Sequence, residues 1–131
     1  MNLLLLDSTK TELVVALAVD GVVTVTKTCA EQRQHDKNVN RLIRELGVEK
    51  FDAVAVVTGP GSWTGIRVGL AVAKAFAYAQ GIPLIELRDQ LDVAVAMQKF
   101  RTGETVSPFA IQPFYNGEFV VKNQPLKTGK K

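Results

Sequence analysis

The apolar run 53–57 (AVAVV) limits the fold of this chain more than any other feature. Five successive apolar residues between Asp52 and the turn Thr58-Gly59-Pro60 predict a strand covered on both faces, because a half-exposed strand alternates apolar and polar residues. A helical pattern follows at 65–80, and another apolar run follows at 83–87. Consecutive strands joined by a helix lie parallel in one sheet. The sequence therefore predicts an α/β fold.

The segments on either side of this unit extend the sheet and add helices. Asp20-Gly21, a common tight-hairpin dipeptide, separates two segments rich in β-branched and apolar residues, which predicts antiparallel neighbours. The predicted order is β-β-β-α-β-α-β-α followed by a hairpin, so the sheet is mixed, with a meander beside parallel strands. The remaining strands are predicted at 2–6, 12–19 and 22–28, the remaining helices at 33–46 and 89–99, and the hairpin strands at 107–112 and 117–121, joined through 115–117.

Composition and charge exclude several classes of protein. The chain has 131 residues, 47% hydrophobic and 22% charged, as in a globular domain. No apolar run approaches the about 20 residues of a membrane span, so we expect a cytoplasmic protein. The single cysteine, Cys29, rules out an internal disulfide and argues against a zinc cluster. The net charge of +3 comes from residues 101–131, which indicates a solvated end, with a nucleic-acid-binding tail as the alternative.

The glycine-rich turn at 58–69 (TGPGSWTGIRVG) is the strongest candidate for a binding site. It is not a Walker loop, because Ile66 and not a lysine follows Gly65, and its glycine spacing misses the dinucleotide fingerprint by one residue. It lies at the carboxyl end of a predicted strand, where open α/β sheets bind ligands, and a helix N-terminus with Arg67 would attract an anion. The alternative is a tight turn whose glycines let strand and helix approach closely. The sequence leaves both interpretations open.

The helix predicted at 65–80 carries more apolar surface than one contact would bury. Its polar side chains (Arg67, Lys74 and Tyr78) share one narrow stripe, and its other residues from 68 to 79 are apolar or glycine. We expect one contact with the sheet and a second with helix 33–46 and a partner subunit; a helix sandwiched within its own domain is the alternative. The predicted interface residues are Val39, Ile43, Ile66, Gly69, Leu70, Ala73, Phe76 and Ala77.

These residues carry a resemblance to the TsaB (YeaZ) family. Residues 59–69 resemble the family signature Gly-Pro-Gly-Ser-aromatic-Thr-Gly-Leu-Arg-Ile-Gly at the same strand-to-helix turn, and His35 resembles a family histidine near the first helix. The resemblance extends over residues 2–100 and more weakly over 107–121. It implies the N-terminal lobe of an actin-like ATPase (ASKHA) fold at 1–100, followed at 101–131 by the remnant of a second lobe and a basic tail.

The resemblance also implies a role in making threonylcarbamoyladenosine in tRNA. Family members are noncatalytic partners that pair through their two N-terminal helices with the catalytic subunit TsaD, and the ATPase TsaE joins them. The implied partners are therefore a TsaD-type subunit and a TsaE-type ATPase, with a homodimer when the chain is alone, indirect contact with tRNA, and ATP or ADP only within a complex. A direct tRNA-binding module and a stand-alone phosphotransferase or peptidase-like enzyme are the alternatives.

The chain departs from its catalytic relatives in one motif and from the family in length. Catalytic relatives carry His-Met-Glu-Gly-His after the strand that corresponds to 83–87, whereas this chain continues LRDQLDV and has His35 as its single histidine. Because an iron or zinc site needs nitrogen, sulfur or dense carboxylate ligands, no metal site and no catalytic residue are predicted. The chain is also short for the family, and Pro113 and Tyr115 replace an acidic residue and an arginine of the family's second lobe.

The resemblance adds a second turn to the candidate site. In the wider superfamily the end of the first strand contacts metal-bound nucleotide phosphates, and Asp7-Ser8-Thr9 holds that place here, with a plain turn as the alternative. Asp89 and Asp92 are predicted to cap a helix or face solvent, and His35 to pack at a helix start. The residues of this vestigial anion or nucleotide site would be Asp7, Ser8, Thr9, Gly59, Gly61, Ser62, Thr64, Gly65 and Arg67.

Overall fold

The computed structural model describes residues 1–30, 35–61, 63–107, 114–115 and 118–119. These residues form a five-stranded mixed sheet with helices on both faces, and a separate two-stranded hairpin. The strands are β1 (Asn2–Asp7), β2 (Leu13–Val19), β3 (Val22–Cys29), β4 (Ala53–Val57), β5 (Leu84–Leu87), β6 (Phe114–Tyr115) and β7 (Glu118–Phe119). The helices are α1 (His35–Glu45), α2 (Trp63–Gln80) and α3 (Val93–Thr102).

The strand order of the large sheet is β3-β2-β1-β4-β5. The meander is antiparallel, with Leu5 of β1 opposite Ala16 of β2, whereas β1 pairs with β4 and β4 with β5 in parallel, with Ala55 opposite both Leu5 and Ile85. The predicted mixed sheet is therefore confirmed. The parallel register brings the carboxyl ends of β1, β4 and β5 to one edge of the sheet, together with the turns that follow them.

Two apolar cores lie on opposite faces of the sheet. On one face, α1 and α2 cover alternate residues of the strands, among them Leu4, Leu6 and Val54. On the other face, α3 covers Leu3 and Leu5 together with neighbours from β4 and β5. All five residues of β4 are buried, which explains why the run 53–57 is apolar without alternation.

Several sequence-predicted boundaries are wrong, since α2 begins at Trp63 and not at 65, and α3 ends at Thr102 and not at 99. The helix predicted at 89–99 begins at Val93, because the backbone at Asp89 has a left-handed φ of 70° and Asp92 is the N-cap, accepting a hydrogen bond from the Val95 amide. In the C-terminal hairpin, Phe114–Tyr115 pairs with Glu118–Phe119, so Tyr115, assigned to the turn, lies in a strand. Most of the strand predicted at 107–112 falls outside the described residues.

Candidate functional site

The two predicted turns, Asp7-Ser8-Thr9 after β1 and the glycine turn between β4 and α2, meet at the carboxyl edge of the sheet. The Ser8 hydroxyl donates a hydrogen bond of 2.6 Å to the carbonyl oxygen of Gly65, in the first turn of α2. Ser8 and Thr9 are 0% and 2% exposed, respectively. The structure therefore brings the two segments together as one buried unit.

The glycines at 61 and 69 allow this contact because neither position has room for a side chain. A Cβ added at Gly69 would lie 2.8 Å from the Cβ of Ser8 and closer still to its hydroxyl. A Cβ added at Gly61 would lie 2.6 Å from the Cβ of Thr9 and closer still to the Thr9 carbonyl oxygen. Both approaches are tighter than real Cβ atoms permit. Close approach thus accounts for these two glycines.

The Asp7 carboxylate is the charged centre of the first turn and is only 6% exposed. Its Oδ1 accepts hydrogen bonds from the Thr9 amide at 2.9 Å and from the Thr9 hydroxyl at 2.6 Å. Its Oδ2 forms an ion pair with the Lys10 ammonium at 3.3 Å. The same ammonium donates to the carbonyl oxygen of Asp89 at 2.6 Å, which links this turn to the segment after β5.

The other residues predicted for this site fall into three groups. Gly59 is buried, and its carbonyl oxygen accepts a hydrogen bond from the Asp89 amide at 3.2 Å. Arg67 is exposed on the first turns of α2. Ser62 and the side chain of Thr64 lie outside the described residues. The anion-binding role of this set stays a prediction.

A polar cluster that the sequence did not predict lies beside these turns. The Thr58 hydroxyl, fully buried, donates to Oε2 of Glu86 at 2.8 Å, and Nε of Arg88 lies 3.5 Å from the same oxygen. The Lys99 ammonium donates to the Glu86 carbonyl oxygen at 2.9 Å, which ties α3 to β5. These residues lie on three segments, namely the turn after β4, β5 with the residue after it, and α3, so only the glutamate within the otherwise apolar β5 signals the cluster in the sequence.

Most residues of the predicted partner interface are buried within this chain, and their role in an interface stays a prediction. Six of the eight are at most 5% exposed, namely Val39, Ile43, Ile66, Leu70, Ala73 and Ala77. Gly69 is also buried, against Ser8. Phe76 alone is partly accessible, with its ring edge-on to Phe51 at a centroid distance of 5.6 Å. The sequence predicted two contacts for α2, and most of the buried residues belong to this chain's own core.

The accessible apolar surface of the two helices lies beside the buried residues of α2, on the part of that helix that faces solvent. Ala71 and Ala75 are exposed, Val72 and Phe76 are half-buried, and Asn40 of α1 lines the same shallow groove. We call these five residues the α1–α2 groove; its volume is about 380 Å³. None of these five residues is charged.

Within the part of the chain that the structure describes, no group of three histidine, cysteine, aspartate or glutamate side chains is placed to hold a metal ion. None of the helices in that part is long and apolar enough to cross a membrane.

Comparison with known proteins shows which family the chain resembles and how much of a relative's length it covers. The family model for TsaD, tRNA N6-adenosine threonylcarbamoyltransferase, matches residues 5–113. The tRNA threonylcarbamoyladenosine biosynthesis protein TsaB of Haemophilus influenzae is 34% identical over 112 residues, which cover 81% of this chain and 47% of that protein. The chain thus spans about half the length of this curated relative.

Solved structures of similar fold agree with the sequence comparison. YeaZ from Pseudomonas aeruginosa superposes with a TM-score of 0.62 at 28% identity, covering 79% of this chain and 50% of that one. RuvC of Thermus thermophilus superposes with a TM-score of 0.55 at 14% identity, covering 80% of this chain and 98% of that one, a likeness of fold alone.

Proposed function

Since this chain belongs to the family of the tRNA N6-adenosine threonylcarbamoyltransferase TsaD and is of the TsaB (YeaZ) type, we propose that it is a noncatalytic partner subunit in the formation of threonylcarbamoyladenosine in tRNA. In this proposal the chain pairs with a TsaD-type catalytic subunit, and a TsaE-type ATPase joins the pair. The chain acts in the cytoplasm and contacts tRNA indirectly. When no partner is present, it forms a homodimer through the surface that otherwise binds the TsaD-type subunit.

The α1–α2 groove is the observation that carries the proposal. Interface cores are poor in charged residues, and the groove offers two exposed alanines beside a half-buried valine and phenylalanine. Alanines let a second helix approach closely, and the Phe76 ring gives that helix an aromatic surface. A helix of the partner subunit laid along α1 and α2 would cover this surface.

Polar groups at the edge of the groove complete the description of a protein interface. Arg67 and Tyr78 are exposed on α2 to either side of Ala71 and Ala75, and Lys74 is half-buried. Interfaces commonly surround an apolar centre with such a rim, which sets orientation more than affinity. We therefore place the centre of the contact at Ala71, Ala75 and Phe76.

The noncatalytic part of the proposal rests on the chemistry of the chain. His35 is its single histidine, so the paired histidines of catalytic relatives have no counterpart. The Asp7 carboxylate, the acidic group best placed in the candidate site, is engaged by Thr9 and Lys10. We propose that ATP or ADP binds only within the complex, and that residues 1–100 form the pairing lobe, with 101–131 as a remnant of a second lobe and a tail.

A charge placed in the groove tests the pairing. Ala75→Glu puts a carboxylate at its centre, so we expect the variant to fold normally but to bind an immobilised TsaD-type subunit at least about tenfold more weakly. Ala94→Glu is the matched control, because Ala94 is an exposed alanine on α3, across the sheet. Leu70 and Ala73, at 4% and 1% exposure, are unsuitable, since glutamate there would disrupt the core. Equal binding by both variants would remove the groove from the interface.

A further inference from the structure

The ammonium of Lys10 lies among three oxygen atoms from two parts of the chain. It is 3.3 Å from Oδ2 of Asp7, 3.4 Å from Oγ1 of Thr9 and 2.6 Å from the carbonyl oxygen of Asp89. Asp89 follows β5 and is 79 residues away from Lys10 in the sequence. One positive charge therefore joins the turn after β1 to the turn after β5.

Carboxylate, hydroxyl and carbonyl oxygens are also the ligands that hard cations such as Mg²⁺, Mn²⁺ and Ca²⁺ take in proteins. The Asp7 side chain is 8% exposed, so its charge needs a compensating partner. The Lys10 side chain is 57% exposed, so its ammonium reaches this place from the solvent side. An amine tethered by a flexible stem supplies the charge that a metal ion would otherwise bring.

The actin-like ATPase fold implies a metal-bound nucleotide at this turn, and the residues present do not fit one. Oδ1 of Asp7 accepts two hydrogen bonds from Thr9, and Oδ2 faces Lys10. The Ser8 hydroxyl donates to the Gly65 carbonyl oxygen and packs against Gly69. A phosphate approaching this turn would have to displace bonds that the chain makes with itself.

We propose that the Lys10 ammonium takes the place of a divalent cation in this turn, holds the turns after β1 and β5 together, and thereby closes the position to a metal-bound nucleotide in the chain alone. The Asp89 amide also donates to the Gly59 carbonyl oxygen, so the turns after all three parallel strands are fastened at one edge. This inference does not depend on a partner subunit, and its residues are not those of the α1–α2 groove.

The test measures Mn²⁺ binding to the full chain by electron paramagnetic resonance. Lys10→Met removes the ammonium but keeps an unbranched stem, so Mn²⁺ should bind at least about tenfold more tightly than to the wild type. Lys10→Arg keeps a cation and should resemble the wild type. The double variant D7N/K10M should lose the gained site. Lys10→Gln serves as a second neutral variant if Lys10→Met does not fold.

Three results would overturn the proposal. One is equal Mn²⁺ affinity in the wild type and the neutral variants, whether that affinity is measurable or absent. Another is Mn²⁺ binding to the wild type that Asp7→Asn abolishes, because the ammonium would then not exclude the metal. The third is a gained site that survives the D7N/K10M combination, because the metal would then bind elsewhere.

Discussion

At the scale of single residues, the close contact with the turn after β1 explains two glycines of the glycine turn. The sequence predicted either an anion site or a tight turn; the close approach is seen only in contacts between residues 50 or more positions apart, and the anion-binding role stays a prediction. Gly61 and Gly69 face Thr9 and Ser8 with no space for a Cβ. The only indication of this contact in the sequence is that both turns follow strands predicted to lie in one sheet.

Gly69→Ala tests the close approach directly. Alanine normally stabilises a helix relative to glycine, but here its Cβ would collide with Ser8, so we expect the free energy of unfolding to fall by about 1 to 2 kcal/mol. Urea unfolding with an unchanged m value measures the effect. In a Ser8→Gly background the collision is absent, and the same substitution should be neutral or stabilise the protein by up to about 1 kcal/mol. An equal cost in both backgrounds would contradict the steric explanation.

Lys10 makes a contact in the site that could not be predicted from the sequence. Its contact with Asp7 is local, three residues along the chain, and is a common arrangement of charges. Its contact with Asp89 uses a backbone carbonyl, which every residue possesses, so no residue type marks it. Long-range contacts to backbone atoms depend on the folded register and leave no pattern to predict from.

At the scale of elements, periodicity located the helices and strands better than it located their ends or their faces. The apolar pattern of α2 predicted two contacts, but it did not say which residues would point to the sheet. Leu70, Ala73 and Ala77 became core residues, whereas Ala71 and Ala75 stayed exposed. The narrow polar stripe of Arg67, Lys74 and Tyr78 marks the solvent side of this helix, but the apolar residues on both sides of the stripe leave the limits of the buried face open.

The start of α3 depends on one side chain. Asp92 has an extended backbone, and its Oδ1 accepts from the Val95 amide at 3.1 Å, as an N-cap does. Asp92→Ala should lower the free energy of unfolding by about 1 kcal/mol, since the amide loses its partner. Asp92→Asn retains an acceptor and should remain within a few tenths of the wild type. Thermal or urea unfolding compares them, and equal losses in the two variants would show that capping is not the cause.

At the scale of the whole molecule, the sheet was predictable because each strand carried a local signal that agreed with its neighbours. Alternating helices and apolar runs required parallel pairing, and Asp20-Gly21 required a hairpin. The strand order β3-β2-β1-β4-β5 follows once β4 is placed beside β1 by the crossover through α1. The partner surface was less predictable, because the sequence does not tell which apolar residues are buried within the chain and which remain exposed for a partner.

The mass of the mixture with a TsaD-type subunit tests the central proposal most directly. Size-exclusion chromatography with light scattering, at about 10 μM of each chain, should show one species. Its mass should exceed that of the TsaD-type subunit by the 14.3 kDa of this chain. Separate elution of the two chains, each with its mass unchanged, would contradict the proposal that this chain is a partner subunit.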